Sequence, residues 1–129
     1  MVKFTVIGGD ASSDLAKRIA RRLKAPYVKT ERKVFPDGES KITINHIPKK
    51  SIVVVVQSTY PPVDTNLLEL LSIVSKVQKF SSKIYTVIPY MGYARQDREF
   101  LDGEIITIGV VGKLLKASGV KKVLTVDIH

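Results

Sequence analysis

The chain contains no cysteine among its 129 residues. That excludes disulfides, thiol nucleophiles and cysteine-ligated metals. Long hydrophobic runs are also missing. The longest purely aliphatic stretch, Ile52–Val56, falls far short of the ~20 residues that span a bilayer. No charged-then-apolar leader with a small-residue cleavage site is visible, so no membrane partner is expected and the expected location is cytoplasmic. Neither G-x-G-x-x-G nor G-x-x-x-x-G-K-[ST] occurs, because Gly112-Lys113 is followed by Leu114; a P-loop is therefore excluded. No Ser/His/Asp or Cys/His arrangement emerges and no glycosidase-type carboxylate pair stands out, which leaves His129 and the carboxylates as the general acid–base candidates. There are no internal repeats, low-complexity tracts or linkers.

What is present is one domain's worth of chain, with 44% hydrophobic and 26% charged residues, ordinary values for a globular fold. The net charge of +9 favours anionic partners such as nucleic acid, acidic membrane or phosphorylated small molecules. Residues 1–50 hold 12 Lys and Arg against 5 Asp and Glu, and residues 51–129 hold 9 against 7. Much of the excess lies in "KRIARRLK", where Ala16, Ile19, Ala20 and Leu23 form an apolar stripe and the basic residues take the opposite face. A solvated helix face accounts for that cluster at least as well as nucleic-acid binding does.

Strand and helix patterns alternate along the chain. "FTVIGG" (4–9), "SIVVVV" (51–56), "KIYTVI" (83–88) and "KKVLTVDI" (121–128) read as strands. Helices are expected from Ser12 or Ser13 to about Lys24, from Asp64 or Thr65 to about Phe80, and over Ile105–Ala117 up to Ser118-Gly119. Leu67, Leu68, Leu71, Val74 and Val77 are the expected buried face of the second helix. Such alternation predicts an α/β fold with a parallel sheet flanked by helices on both faces. Residues 27–48 break the rhythm: extended segments flank Pro36-Asp37-Gly38, predicting a β-hairpin flap near residues 30–45.

Four polar motifs then fall at the carboxyl ends of predicted parallel strands, the edge at which open α/β sheets bind ligands. "GGDASS" offers either a tight turn with a helix cap or free N–H groups for an anion. "FPDGE" (35–39) is either a hairpin tip, or an aromatic face for a base with Asp37 and Glu39 accepting from an exocyclic amine such as adenine's. "YARQDR" (93–98) is either an ion-paired surface loop or a phosphate- and base-binding loop built on Arg95 and Arg98, with Gln96 and Asp97 orienting them. "VDIH" (126–129) places Asp127 and His129 two apart, so on a strand both leave the same face. That pair could meet a phosphate or a metal, although two groups do not complete a metal site. His46 has no constellation around it and reads as a surface histidine. The chain ends where a fourth loop of that edge would begin.

Taken together, "FPDGE", "QS" followed by "DTNLLELL", "IPYMGYARQDR" and "TVDIH", after the opening "GGDASSDLAKRIARRL", resemble ribose-phosphate diphosphokinase, the PRPP synthetase family, over essentially all 129 residues. The resemblance implies a type I phosphoribosyltransferase-like fold and the transfer of diphosphate from ATP to the 1-hydroxyl of ribose 5-phosphate with Mg²⁺, giving PRPP and AMP. It implies that Phe35, Asp37 and Glu39 contact adenine from a neighbouring subunit of a homo-oligomer, and that Arg95 and Gln96 line the ATP pocket with Asp97 and Arg98 beside them. His129 would reach the ATP phosphates and Mg²⁺, with Asp127 near the metal. Residues 1–129 would then be an amino-terminal nucleotide-binding domain. The family's mobile catalytic loop and the carboxyl-terminal domain that holds ribose 5-phosphate would lie beyond this chain, so no catalytic residue is assigned here and the chain alone is expected to be inactive. One departure is "EFLDGEII" after "RQDR", with Ile105 where many members have a proline. A non-catalytic regulatory relative, and more remotely a basic nucleic-acid-binding domain, are the alternatives.

Overall fold

A computed structural model describes residues 2–46 and 50–129; Ile47 and Pro48, at the end of the irregular stretch, lie outside the described residues. The β-branched runs form the strands, where branched side chains pack well on a pleated surface. These are β1 (Phe4–Gly8), β2 (Tyr27–Val34), β3 (Ser40–Ile44), β4 (Ile52–Val56), β5 (Ile84–Ile88) and β6 (Val120–Thr125), interspersed with helices α1 (Ser13–Leu23), α2 (Val63–Val77) and α3 (Thr107–Ser118). The sheet order is β3-β2-β1-β4-β5-β6, parallel throughout except for β3, which pairs antiparallel with β2. Among the described residues no helix is long and apolar enough to cross a membrane.

Alternation along the central strands feeds two cores. Val53 and Val55 join Ile7, Ile84, Ile88, Leu70, Ile73, Val74, Val77, Val111 and Leu115 under α2 and α3. Val54 and Val56 join Val6, Ala16 and Ala20 under α1. The order of the strands reverses direction between β1 and β4, with α1 on one face and α2 and α3 on the other; this places a switch point at the carboxyl ends of β1 and β4.

Several local expectations shift. A single 3-10 turn, Asp10–Ser12, precedes α1, and the Ser12 hydroxyl caps nothing, because it accepts instead from the Ser58 N–H at 2.9 Å. On α1 the alanines are buried while Leu23 is exposed. On α2 the buried positions are Asn66, Glu69, Leu70, Ile73, Val74 and Val77, with Leu67 and Leu71 flanking them and Leu68 exposed. The apolar stripe is thus rotated from the leucine-based expectation, since polar groups with partners can occupy core positions. Strand β6 ends at Thr125 and α3 begins at Thr107.

β2 divides its loyalties. Tyr27–Lys29 pair with β1 in the main sheet, while Thr30–Val34 pair with β3 as a hairpin. Phe35 N–H donates to Glu39 O and Gly38 N–H to Phe35 O, and Gly38 at φ 93° takes the left-handed conformation the tight tip requires. One buried group ties the hairpin to the sheet. The Glu69 side chain, 1% exposed, accepts from Arg32 Nη1 at 3.0 Å, and its other oxygen accepts from the Asp10 N–H at 2.5 Å. Arg32 Nη2 reaches the Asp10 carboxylate at 2.9 Å. Burial pushes the Glu69 carboxyl above its ordinary 4.5, against the pull of the Asp10 N–H and Arg32.

Removing one partner of a buried ion pair leaves an uncompensated charge. Arg32→Ala is therefore expected to destabilise the chain at pH 7 by about 3 kcal/mol, the low end for such pairs, because Arg32 keeps 19% of its side chain in solvent. With the folded-state pKa of Glu69 above its unfolded value, the native protein takes up the proton first. Without Arg32 the carboxyl is pushed higher still, so the cost is full above the variant's pKa and fades as the pH falls from there to the wild type's raised value. Urea unfolding of wild type and variant between pH 4.5 and 7 measures this; a pH-independent difference would be contrary to it.

Candidate functional site

Three loops leave the carboxyl edge of the sheet beside one another, and short polar side chains hold them together. Gly9 N–H donates to Val56 O at 2.9 Å and Gln57 N–H to Val87 O at 3.0 Å. Ser58 Oγ accepts from the N–H groups of Tyr60 and Tyr90. Thr59 Oγ1 donates to Tyr90 O at 2.8 Å and accepts from Gly92 N–H at 2.7 Å. These contacts fix the backbone of the loop after β5 against the loop after β4.

At the switch point itself the protein has filled its own crevice. Gln57, fully buried, accepts from the Ala11 N–H at 3.1 Å through Oε1, and its Nε2 lies 3.4 Å from both oxygens of Asn66. A Cβ on Gly9 would sit 2.2 Å from Gln57 Oε1, so only glycine allows this close approach. The Asp10 N–H is taken by Glu69. The anion-binding alternative for "GGDASS" thus gives way to an internal one: the groups facing its first N–H donors are the protein's own carboxylate and amide.

The open space lies over β5 and β6. A cleft of about 460 Å³ is lined by Tyr90–Gln96, Val126–His129 and Val63. Arg95 and Gln96 from one motif and Asp127 and His129 from another are brought together there. Asp127 does not continue a strand. It has φ 47° beyond the end of β6, so the same-face alternation expected for Asp127 and His129 does not apply, and a turn brings both into the cleft wall. Tyr93, also left-handed at φ 68°, donates its hydroxyl to Asp64 at the start of α2; that bond to a carboxylate pushes the phenol pKa up. Ala94 is buried beneath, leaving Arg95 exposed and, among the described residues, in no ion pair.

Gln96 has a second task. Its Oε1 accepts from Thr107 Oγ1 at 2.6 Å and its carbonyl from the Ile108 N–H at 3.4 Å, so it closes the first turn of α3, which has no side-chain cap of its own. Asp97 and Arg98 are not in the cleft wall; they face each other at 3.5 Å on the surface. Phe35, Asp37 and Glu39 stand apart on the hairpin. Asp37 and Glu39 line a separate groove of about 470 Å³ with Thr65, Leu68, Glu69 and Ser72 of α2. The Glu39 carboxyl bonds to Asp37, which holds Asp37 below the usual carboxylate range and pushes Glu39 above it. Among the described residues no three His, Asp or Glu side chains converge to hold a metal.

Gln57, Asn66, Glu69 and Arg32 organise this edge, and none was expected from sequence. A signal was available: Asn66, Glu69, Ile73 and Val77 fall at helical spacing, which sets a carboxylate on the apolar stripe of α2, and such a group needs a partner.

The chain matches, over residues 4–119, the family described as the N-terminal domain of ribose phosphate pyrophosphokinase. It is 40% identical over 125 residues to the ribose-phosphate pyrophosphokinase of Methanobrevibacter smithii, covering 96% of this chain and 42% of that protein, and 41% identical to that of Clostridium perfringens, covering 96% and 39%. The chain thus spans less than half the length of these curated relatives. The crystal structure of phosphoribosylpyrophosphate synthetase from Mycobacterium smegmatis superposes with a TM-score of 0.90 at 26% identity, covering 98% of this chain and 43% of that one. An APRTase from Giardia lamblia, at 15% identity and TM-score 0.58 over 99% of this chain and 71% of that one, shares the fold. With its six-stranded α/β sheet, its motif-lined cleft and a family match over most of its length, the chain belongs to the ribose phosphate pyrophosphokinase N-terminal domain family.

Proposed function

We propose that residues 1–129 are the amino-terminal, nucleotide-binding domain of an enzyme that transfers diphosphate from ATP to the 1-hydroxyl of ribose 5-phosphate, giving PRPP and AMP. The observation that carries this reading is the meeting of Arg95 and His129 in one open cleft, backed by loops that the Ser58 and Thr59 hydroxyls tie together. An unpaired guanidinium is suited to phosphate oxygens, because its planar fork binds two of them at once. Gln96 would contribute its amide N–H₂, since its Oε1 is engaged with Thr107. Asp97 and Arg98, at the cleft's margin, would add charge at longer range.

Phosphoryl transfer rests on positioning and on neutralising charge that develops on equatorial oxygens. The sugar hydroxyl attacks the β-phosphorus in line while AMP departs. In this chain, Arg95 and His129 would orient the polyphosphate, and the stitched Ser58, Thr59 and Gly92 contacts would keep that orientation fixed. A carboxylate and an imidazole at Asp127 and His129 suit an open Mg²⁺ site in which water and phosphate oxygens complete the shell, as this ion usually requires. Asp127 and His129 would hold the ion, which would supply charge neutralisation to the polyphosphate.

The adenine reading of Phe35, Asp37 and Glu39 needs a neighbouring subunit, because the hairpin and the cleft rise from opposite ends of the strand order. The ribose 5-phosphate site and the mobile catalytic loop would belong to the rest of a longer protein, in keeping with relatives more than twice as long.

Two outcomes are expected. Calorimetric titration with Mg-ATP should show saturable binding, weakened about 10- to 100-fold by Arg95→Ala, the worth of one charge-assisted phosphate contact. Equal affinity in the variant would remove Arg95 from the site. Purified chain mixed with Mg-ATP and ribose 5-phosphate should form no PRPP above background; turnover resistant to repurification would contradict the division of labour proposed here.

A further inference from the structure

Two residues of the cleft wall, Tyr93 and Asp127, have left-handed backbones. Aspartate tolerates that conformation, but a bulky aromatic residue does not. Such a conformation persists only where its surroundings determine it, and at Tyr93 they do so from both sides. On the amino side, the N–H of buried Gly92 is fixed to Thr59 Oγ1 at 2.7 Å, and a Cβ at 92 would stand only 2.7 Å from Val63 Cγ1. The chain therefore enters the turn pressed against the start of α2. On the carboxyl side, the Gln96 N–H donates back to Tyr93 O at 2.9 Å.

The side chain adds a further hold. Its ring packs on the core under α2 and α3, and its hydroxyl donates to the exposed carboxylate of Asp64 in the first turn of α2. Packing alone accounts for an aromatic ring at 93, since phenylalanine would fill the same space. It does not account for the hydroxyl, which joins the loop after β5 to the helix after β4. Asp64 is not in the cleft lining and, as an anion, is no ligand for phosphate. Its connection to the cleft runs through Tyr93.

What the turn presents is Arg95. From the left-handed residue the chain runs so that Ala94 is buried and Arg95 is exposed in the cleft wall. An ordinary negative φ at 93 would send the next peptide in another direction and take the guanidinium with it. We propose that Tyr93 and Asp64 are positioning residues, whose bond holds the left-handed turn that presents Arg95 to an anionic ligand. This rests on the reading of the cleft as a polyphosphate site and adds a control from outside it. Asp64 acts on the ligand through Tyr93 and Arg95, and touches no reacting atom.

The test compares wild type with Tyr93→Phe, Asp64→Ala and Asp64→Asn, the last of which keeps an oxygen that accepts from the phenol. In the ligand-free chain, amide hydrogen exchange at Gln96 should be about 3- to 10-fold faster in Tyr93→Phe and Asp64→Ala, the worth of one such bond. Asp64→Asn should exchange close to the wild-type rate. The Gly38 N–H at the hairpin tip, whose opening does not involve this turn, should be unchanged in all of them, which sets aside a misfolded variant. Calorimetry with Mg-ATP then reads the aim of Arg95. Tyr93→Phe should weaken binding about 3- to 10-fold when Arg95 is present and scarcely at all in the Arg95→Ala background. Unchanged exchange at Gln96, an Asp64→Asn chain that behaves like Asp64→Ala, or equal weakening with and without Arg95 would each overturn the proposal. Should wild type bind no Mg-ATP, the nucleotide reading falls by itself, and exchange at Gln96 still decides whether the bond holds the turn.

Discussion

A single buried carboxylate organises the carboxyl edge of this sheet. Glu69 is nearly inaccessible, yet it is held by the turn after β1 through the Asp10 N–H and by the hairpin through Arg32. Burying a charge is costly unless it is paired and hydrogen-bonded, and here both conditions are met from two different directions. Three parts of the chain far apart in sequence therefore have one permitted arrangement. An apolar residue at 69 would pack α2 equally well, but it would specify neither the turn nor the hairpin.

The same contact decides where a ligand can go. In open α/β sheets the switch point is the usual binding crevice, but in this fold Glu69 and Gln57 occupy it from within. The cleft is displaced by two strands, to the loops after β5 and β6, and its polar lining comes from Arg95, Gln96, Asp127 and His129. Gly9 and Gln57 belong to the scaffold of this edge, and their fit to each other keeps the first turn closed.

Much of this was legible in the order of residues. Aliphatic runs such as "VVVV" admit little but a buried strand, and "PDG" between extended segments admits little but a hairpin, so the layers and the ligand edge follow from local chemistry. The orientation of α2 did not follow. Leucines were expected at its buried face, but a leucine on a helix can be left exposed at modest cost, whereas Glu69 could be buried only because Arg32 and Asp10 arrive from elsewhere, and that depends on tertiary structure. The geometry at Asp127 was hidden for a related reason: alternation holds only while the strand continues, and a left-handed residue ends it. Gln96 shows the limit for site residues. Its place in "YARQDR" suggests a ligand contact, and only the fold reveals that half of its amide already secures α3.

β2 belongs to two pairings, with Tyr27–Lys29 fixed in the sheet and Thr30–Val34 projecting as part of the hairpin. In mechanical terms it is a cantilever clamped at its root. From Thr30 to Phe35 the arm is roughly 16 Å long at the usual rise per residue, so a rotation of about 10° at the clamp would sweep the tip through about 3 Å, the length of a hydrogen bond. Whatever the tip touches is thereby coupled to the root, and the Arg32–Glu69 contact, lying next to the clamp rather than at the tip, governs an aim far larger than its own size.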